Sequence, residues 1–131
     1  MAKSSLLINL KTSIIGHELK NHVSLLDWFL RQDAPVSGFK NHMWNGITTL
    51  EWAKLCEDLI KNWSVYKPIT QVGTECISKY DLLNVMNKVY EKDCEIKPVN
   101  HSYDTNKCLV VDIKFPSIET QLRELKVFYE K

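Results

Sequence analysis

The stretch LLINLKTSII, residues 6–15, decides the fold, and it ends at Gly16. Its residues are mostly apolar, and several of them are β-branched. A continuous run of this kind is typical of a strand that is buried on both faces of a sheet. Such a strand lies in the middle of a sheet and needs a neighbour on each side. The rest of the chain offers only short extended segments, so we expect the chain to leave an edge of this strand uncovered.

Four helices are predicted from apolar periodicity and from residues that favour helix ends. The first spans residues 21–31 and stops at Asp33-Ala34-Pro35. The second is the clearest, because Thr48 and Glu51 have the spacing of a capping box. Its apolar stripe consists of Trp52, Leu55, Cys56, Leu59, Ile60 and Trp63.

The other two helices begin at serines. Ser78 starts the third, and Asp81 is placed to stabilise its N-terminus. Its inner face consists of Leu82, Leu83, Met86, Val89 and Tyr90. Pro116 and Ser117 start the fourth, whose inner face consists of Ile118, Leu122, Leu125 and Tyr129.

The segments between the helices are short. We predict a loop or short strand at residues 36–44 that ends in an Asn45-Gly46 turn. Further extended segments are predicted at residues 64–70, at residues 95–99 as an edge strand that tolerates Pro98, and at residues 109–113. Helices and strands therefore mix irregularly. This indicates a single α/β domain over residues 1–131, a small mixed lobe of about four helices and a few short strands.

Composition excludes several classes of function. The formal net charge is +1 and the lysines are spread along the chain, so nothing predicts binding to nucleic acid or to an anionic membrane. No apolar run approaches the roughly 18 residues that a membrane span needs. The cytoplasm is the expected location.

The four cysteines are Cys56, Cys76, Cys94 and Cys108. Their wide spacing does not suit a zinc site, and we predict no bound metal. Two disulfides remain possible by number. We nevertheless predict reduced thiols, since Cys56 lies on a helical apolar stripe and the expected compartment is reducing.

Motifs for catalysis are weak. His17-Glu18 does not form a zinc-protease motif, because position 21 is Asn and His22 comes one residue too late. Tyr103 and Lys107 are spaced as in the Tyr-x-x-x-Lys pair of short-chain dehydrogenases. The residues between them favour turns, however, and that pair needs a helix. We therefore predict no catalytic residue.

A phosphate cradle for a dinucleotide is also missing from the sequence. Such a cradle needs clustered glycines where a strand meets a helix. The glycines here are isolated from one another, at Gly16, Gly38, Gly46 and Gly73. We therefore expect no cofactor to be bound by this chain alone.

Five segments together resemble extended short-chain dehydrogenases. They are LKTSIIGHE (residues 10–18), SLLDWFL (24–30), GFKNHMWNGITTL (38–50), ISKYDLL (77–83) and the closing helix (116–129). In order and spacing they are similar to the C-terminal part of dTDP-4-dehydrorhamnose reductase-like nucleotide-sugar reductases and related capsule or O-antigen enzymes. The resemblance covers nearly the whole chain, from about residue 6 to residue 129.

The resemblance implies a division of labour. In that family the Rossmann portion binds NAD(P)H and supplies the catalytic Tyr and Lys, and the C-terminal part binds the nucleotide sugar. The chain is then a substrate-binding lobe that lacks the Rossmann portion, with NAD(P) implied only for the complete enzyme. We expect no NAD(P)H oxidation by this chain alone.

Substrate-binding residues follow partly from the resemblance. Thr12 and Ser13 end a strand beside the cofactor–substrate crevice of the family, and Asn45 and Gly46 lie on a loop that borders the sugar. Lys11 and Lys107 stand where many members have Arg, and Lys107 would meet the pyrophosphate. Trp44 is added because it directly precedes the Asn-Gly turn, where an aromatic ring can line a cleft.

Two other interpretations remain open. The chain could be a non-catalytic interaction module that docks on a separate Rossmann-type subunit through its first strand. It could also be a remnant that folds and has no activity. The sequence does not distinguish between them.

Overall fold

The computed structural model describes residues 7–18, 20 and 24–130. The helices within them are α1 (Leu25–Leu30), α2 (Thr49–Lys61), α3 (Lys79–Tyr90) and α4 (Ile118–Tyr129). The strands are β1 (Asn9–Lys11), β2 (Ile14–Ile15), β3 (Val36–Phe39), β4 (His42–Trp44), β5 (Ile47–Thr48), β6 (Ile69–Gly73), β7 (Ile77–Ser78), β8 (Ile96–Val99), β9 (Thr105–Asn106) and β10 (Ile113–Lys114). This mixed α/β lobe confirms the predicted fold class.

A parallel sheet in the order β1-β6-β10 packs against α2. Asn9 pairs with Ile69 and Lys11 with Gln71, while Ile113 pairs with Val72. The other ladders are small: β2 pairs with β5, β3 with β8, and β4 lies between β7 and β9. Within the described part of the chain β1 is an edge strand, as expected.

The prediction of one continuous buried strand over residues 6–15 is wrong. Residue 6 lies outside the described residues, and the remainder forms β1 and β2 with a break at Thr12 and Ser13. Leu10 packs inward, but Leu7 is 68% exposed and Ile14 is 43% exposed. The strand breaks because β1 pairs with β6 whereas β2 pairs with β5, a different partner.

Helix starts follow the predicted caps. The Thr48 hydroxyl accepts a hydrogen bond from the Glu51 N–H at 3.3 Å, and the Ser78 hydroxyl accepts one from the Asp81 N–H at 3.0 Å. Each bond satisfies a backbone donor that the helix itself leaves unpaired. The first helix begins at Leu25 rather than at residue 21, and residues 21–23 lie outside the described residues.

Two predicted features differ from the structure, the bounds of one strand and the burial of one helix face. A short 3₁₀ turn, Trp63–Val65, occupies the start of the strand predicted at residues 64–70, and β6 begins only at Ile69. The apolar stripe of α2 is buried only in part, since Ile60 is 78% exposed. By contrast, the predicted edge strand at 95–99 is confirmed, because β8 pairs only with β3 among the described strands.

Two cores hold the lobe together. The main core joins α1, α3 and α4, and the members with almost no exposure include Leu26, Phe29, Leu82, Met86, Leu122 and Leu125. A smaller core lies between α2 and the parallel sheet and consists of Ile47, Leu55 and Val72. The buried Gln121 links the two: its Oε1 accepts from the Thr48 N–H at 2.9 Å and its Nε2 donates to the Pro116 carbonyl at 2.8 Å.

The prediction that the cysteines are reduced is wrong for two of them. Cys76 and Cys108 form a disulfide, with a Cα–Cα distance of 5.8 Å, while Cys56 and Cys94 are free. The sequence could not select this pair, because a single disulfide among four cysteines can form in six ways. No described helix is both long and apolar enough to cross a bilayer, and the described residues hold no cluster of three potential metal ligands.

Candidate functional site

The candidate site lies where the carboxyl ends of β1 and β6 meet the Asn45-Gly46 loop. Because β1 and β6 are parallel, their ends fall at the same edge of the sheet. Ligands of open α/β sheets bind outside the carboxyl ends of the strands. The backbone closes this corner tightly: the Ile47 N–H donates to the Ser13 carbonyl at 2.8 Å, and the Thr74 N–H donates to the Asn45 carbonyl at 2.8 Å.

Thr12 and Ser13 follow β1 directly and are half-buried. The Thr12 hydroxyl donates to the Ser13 carbonyl at 3.2 Å, and this carbonyl also receives the Ile47 N–H. The structure therefore brings Ser13, and Thr12 next to it, against the Asn45-Gly46 loop.

Gly46 allows the two loops to approach each other. A Cβ atom at this position would lie 2.2 Å from the Ser13 carbonyl oxygen and 2.4 Å from the Trp44 ring. No described glycine has a positive φ, so the requirement concerns space and not backbone conformation. Gly46 therefore positions the Ser13 loop.

Asn45 holds a third loop at the site. Its side-chain Nδ2 donates to the Leu109 carbonyl at 2.9 Å, and its Oδ1 accepts from the Leu109 N–H at 3.0 Å. The residue is only 4% exposed. Both polar groups of the amide therefore face the backbone of Leu109, in the geometry of a positioning residue.

The ring of Trp44 lies beneath the turn. It is 8% exposed, belongs to the main hydrophobic core and packs against Gly46. The structure thus places this ring away from open solvent.

The two predicted lysines are both exposed, Lys11 at the end of β1 and Lys107 after β9. Neither ammonium group has an ion-pair or hydrogen-bond partner among the described residues. Several other lysines form ion pairs there, among them Lys54, Lys61, Lys67, Lys88 and Lys114. The Lys107 backbone N–H donates to the Met43 carbonyl at 3.0 Å, which fixes the chain at this point. Two unpaired cations are what a phosphate-bearing ligand would require.

Sequence reasoning missed the partners that shape this corner. Thr74 donates its hydroxyl to the Gly46 carbonyl at 3.1 Å, and the Cys76–Cys108 disulfide joins the loop after β6 to the loop that carries Lys107. Thr74 directly follows Gly73, where β6 ends, so an extended segment predicted to continue to this glycine would have indicated it. The extended segment is instead predicted at residues 64–70.

The side chain of His17 belongs to a second polar cluster, together with Asp27 and Tyr90. With Asp27 ionised, His17 Nδ1–H donates to Asp27 at 2.8 Å, and Nε2 accepts from the Tyr90 hydroxyl at 3.1 Å. Asp27 also accepts from the Glu18 N–H at 2.8 Å. Burial, followed by the nearby Asp27 carboxylate, raises the pKa of Tyr90 to about 12. The Tyr90 hydroxyl therefore keeps the proton that it donates to His17, and this hydrogen bond connects the segment after β2 to α3.

A cavity of about 350 Å³ lies at the other end of β6. Its lining includes Tyr66, Lys67, Thr70 and Asp112. Lys67 and Asp112 form an ion pair at 2.9 Å, and Asp58, which also lines the cavity, accepts a hydrogen bond from the Tyr66 hydroxyl. The cavity contains none of the predicted substrate-binding residues.

These features define the class of fold, which is a mixed α/β lobe with a three-stranded parallel sheet among the described strands. Solved structures of nucleotide-sugar enzymes share it. dTDP-4-dehydrorhamnose reductase from Bacillus anthracis, solved in complex with NADP, has a TM-score of 0.69 at 14% identity, over 91% of this chain and 47% of that one. The Clostridium acetobutylicum dTDP-4-dehydrorhamnose reductase has a TM-score of 0.68 at 10% identity, over 93% and 48%.

An epimerase shares the same fold. UDP-N-acetylglucosamine 4-epimerase from Methanobrevibacter ruminantium, in complex with UDP-N-acetylmuramic acid, has a TM-score of 0.63 at 20% identity, over 94% of this chain and 46% of that one. The chain thus spans about half of the length of these structures. No family model and no curated protein sequence matches it. At these identities the likeness establishes the fold.

Proposed function

We propose that the chain is the nucleotide-sugar-binding lobe of an NAD(P)-dependent keto-sugar reductase or epimerase. The observation that supports this most strongly is the corner at the carboxyl ends of β1 and β6, with Lys11 and Lys107 unpaired beside it among the described residues. Ammonium groups suit the diphosphate of such a ligand, and hydroxyls of Thr12 and Ser13 suit the hydroxyls of a sugar. The proposed place of action is the cytoplasm, in polysaccharide biosynthesis.

Within this proposal the seven predicted residues divide into two groups. Thr12, Ser13, Lys11 and Lys107 supply contacts to the ligand. Asn45 and Gly46 position the loops that present those contacts, because the amide of Asn45 is bonded to Leu109 and Gly46 lies against Ser13. Trp44 acts from the core by fixing the turn.

The described residues do not fit a dinucleotide cofactor. A pyrophosphate cradle needs glycines whose missing side chains leave space for the phosphates. Here a Cβ on any of the four glycines would meet protein atoms within 3 Å, such as Thr49 at Gly16 and the Asn45 carbonyl at Gly73. NAD(P) would therefore be held by a Rossmann-type portion outside these residues, and we assign no step of hydride transfer to this lobe.

The edge of β1 is the proposed contact with that portion. Parallel sheets are normally covered on both faces and continue on both sides of a central strand. Here β1 has a neighbour only on the β6 side among the described strands, and Leu7 and Ile69 are 68% and 54% exposed nearby. A parallel strand added at this edge would cover part of that apolar surface.

The open edge also favours the second candidate function, a non-catalytic module that docks on a separate Rossmann-type subunit. Binding of nucleotide sugar distinguishes the two candidates. The module needs the edge of β1 only, whereas the substrate lobe also needs the lysines.

Calorimetric titration of the purified chain with UDP- and dTDP-sugars tests the proposal. We expect saturable binding that weakens at least tenfold in Lys107→Ala. Lys61→Ala is the matched control, because it removes an equally exposed charge that is paired with Glu57 on α2. Absence of binding to every nucleotide sugar would favour the docking module. An equal loss in both variants would show that the effect reflects net charge and not the site.

A further inference from the structure

We propose that Cys76 and Cys108 form a reversible redox site that controls how firmly the Lys107 loop is held at the candidate site. The bond links residue 76, just before β7, to residue 108, just after β9. The Cα–Cα distance of 5.8 Å lies in the range in which two cysteines bond without backbone movement. This inference rests on the proposed function for its consequence, but not for the chemistry of the bond.

The position of Cys108 allows the disulfide to restrain the segment around Lys107. It lies between Lys107, the proposed diphosphate contact, and Leu109, whose backbone Asn45 holds. Beyond Leu109 the chain is irregular up to β10, and Val110 is 85% exposed. Backbone bonds hold both ends of this segment, from the Lys107 N–H to the Met43 carbonyl and from the Asp112 N–H to the Gln71 carbonyl. Between these two points the disulfide and the Asn45 bonds restrain the chain, so loss of the disulfide should increase its motion there.

The disulfide is accessible to exchange. Cys76 is exposed, and Cys108 is half-buried. Solvent-exposed disulfides are the ones that small thiols reduce most readily, whereas buried structural ones resist reduction. The free cysteines are on other elements, Cys56 on α2 and Cys94 after α3, so they do not compete directly for this pairing.

The chemistry balances with a small disulfide such as glutathione disulfide as oxidant. The thiolate of Cys76 attacks one sulfur of the oxidant, which releases one glutathione thiolate and leaves a mixed disulfide on Cys76. The thiolate of Cys108 then attacks the Cys76 sulfur and displaces the second glutathione. Two cysteine thiols are oxidised by two electrons, one glutathione disulfide is reduced to two glutathione molecules, and excess glutathione reverses both steps.

The first experiment examines the bond itself. The full chain is equilibrated in glutathione buffers of increasing oxidised fraction, quenched with a maleimide and analysed by peptide mass spectrometry. We expect labelling of only Cys56 and Cys94 in oxidising buffer and of all four cysteines in reducing buffer. Four labelled cysteines in every buffer, or a bond that involves Cys56 or Cys94, would overturn the proposal.

The second experiment measures the loop without any ligand. Hydrogen exchange of the Leu109 and Val110 amides should accelerate at least fivefold when the wild-type chain is reduced. Cys108→Ser should exchange at the fast rate in both buffers, and the control Cys94→Ser should respond like the wild type. Identical exchange in the oxidised and reduced wild type would refute control of the loop, whether or not the chain binds nucleotide sugars.

The third experiment connects the bond to binding. The affinity of the oxidised chain for a UDP-sugar should fall about three- to tenfold on reduction, and Cys108→Ser should bind like the reduced wild type. Equal affinity in both states would refute the regulatory role alone. Absence of binding in both states, with the exchange difference intact, would refute the proposed function and leave the redox site standing.

Discussion

Replacement of Gly46 by Ala should destabilise the lobe, because the added methyl group would overlap with the Ser13 carbonyl and the Trp44 ring. The new Cβ would lie 2.2 Å from the Ser13 carbonyl oxygen and 2.4 Å from the Trp44 ring. The obstructing carbonyl is backbone, and it also accepts the Ile47 N–H at 2.8 Å. The strand ends must therefore separate, and the β2–β5 ladder weakens with them.

The magnitude follows from three contributions. Overpacking of a tight interior position costs about 1–3 kcal/mol. Loss of the hydrogen bond between Ser13 and Ile47 costs about 1 kcal/mol. Removal of a glycine from the unfolded chain returns roughly 0.4–1 kcal/mol. The expected net loss in the free energy of unfolding is about 2 kcal/mol, equivalent to a decrease in Tm of roughly 6–10 °C for a domain of this size.

Urea denaturation followed by tryptophan fluorescence measures this change, and Gly16→Ala is the matched control. A Cβ at Gly16 would lie 2.3 Å from Thr49 Oγ1 and 2.8 Å from Thr49 Cγ2, which are side-chain atoms that a change in χ1 displaces, whereas the obstruction at Gly46 is backbone. We expect Gly16→Ala to cost less than about 1 kcal/mol. A free energy of unfolding for Gly46→Ala within about 0.5 kcal/mol of the wild-type value, the usual range for surface substitutions, would refute the steric argument. Equal losses of stability in Gly46→Ala and Gly16→Ala would refute it as well.

Three further predictions concern the core and the pH dependence. Gln121→Leu leaves the buried Thr48 N–H without its acceptor and should cost about 1–3 kcal/mol in urea denaturation; unchanged stability would show that water replaces the amide. Leu122→Ala, at a fully buried position, should lower the free energy of unfolding by about 2–5 kcal/mol in the same assay. A loss below about 1 kcal/mol would mean that neighbouring side chains fill the space left by the substitution. Because burial raises the pKa of Tyr90 to about 12, the folded state holds this proton more tightly than the unfolded state. Stability should therefore fall as pH rises from about 10 to 12. Tyr90→Phe should reduce this decline in urea melts without abolishing it, because burial also raises the pKa of Tyr66 to about 12; an identical decline would contradict the assignment to Tyr90.

Local signals in the sequence predicted the starts of the last three helices correctly. The Thr48–Glu51 and Ser78–Asp81 pairs act within four residues, so their geometry depends little on the rest of the fold. The closing helix is found for the same reason, since the Ser117 hydroxyl accepts from the Thr120 N–H. Each of these caps is a contact that the sequence itself places in reach.

Contacts between distant residues were not predictable in the same way. Asn45 and Leu109 are 64 positions apart, and the sequence indicates a turn at Asn45 without indicating which backbone its amide will meet. The same holds for Cys76 and Cys108, 32 positions apart. The break between β1 and β2 also belongs here, because the apolar run continues through Ile14 and Ile15 while the pairing partner changes from β6 to β5.

The stretch that decides the fold also connects the two proposed interactions of the lobe. Leu7, whose side chain is 68% exposed, precedes β1, which is an edge strand among the described strands, and Thr12 and Ser13, only a few residues further, form the corner of the candidate site. An exposed apolar side chain beside a strand at the edge of a sheet is typical of a surface that another strand covers. A strand docked at this edge would restrict β1 along its length and, through it, the Ser13 carbonyl that anchors Ile47. Docking at the edge and ligand binding at the corner should therefore favour each other, because each orders the same short segment.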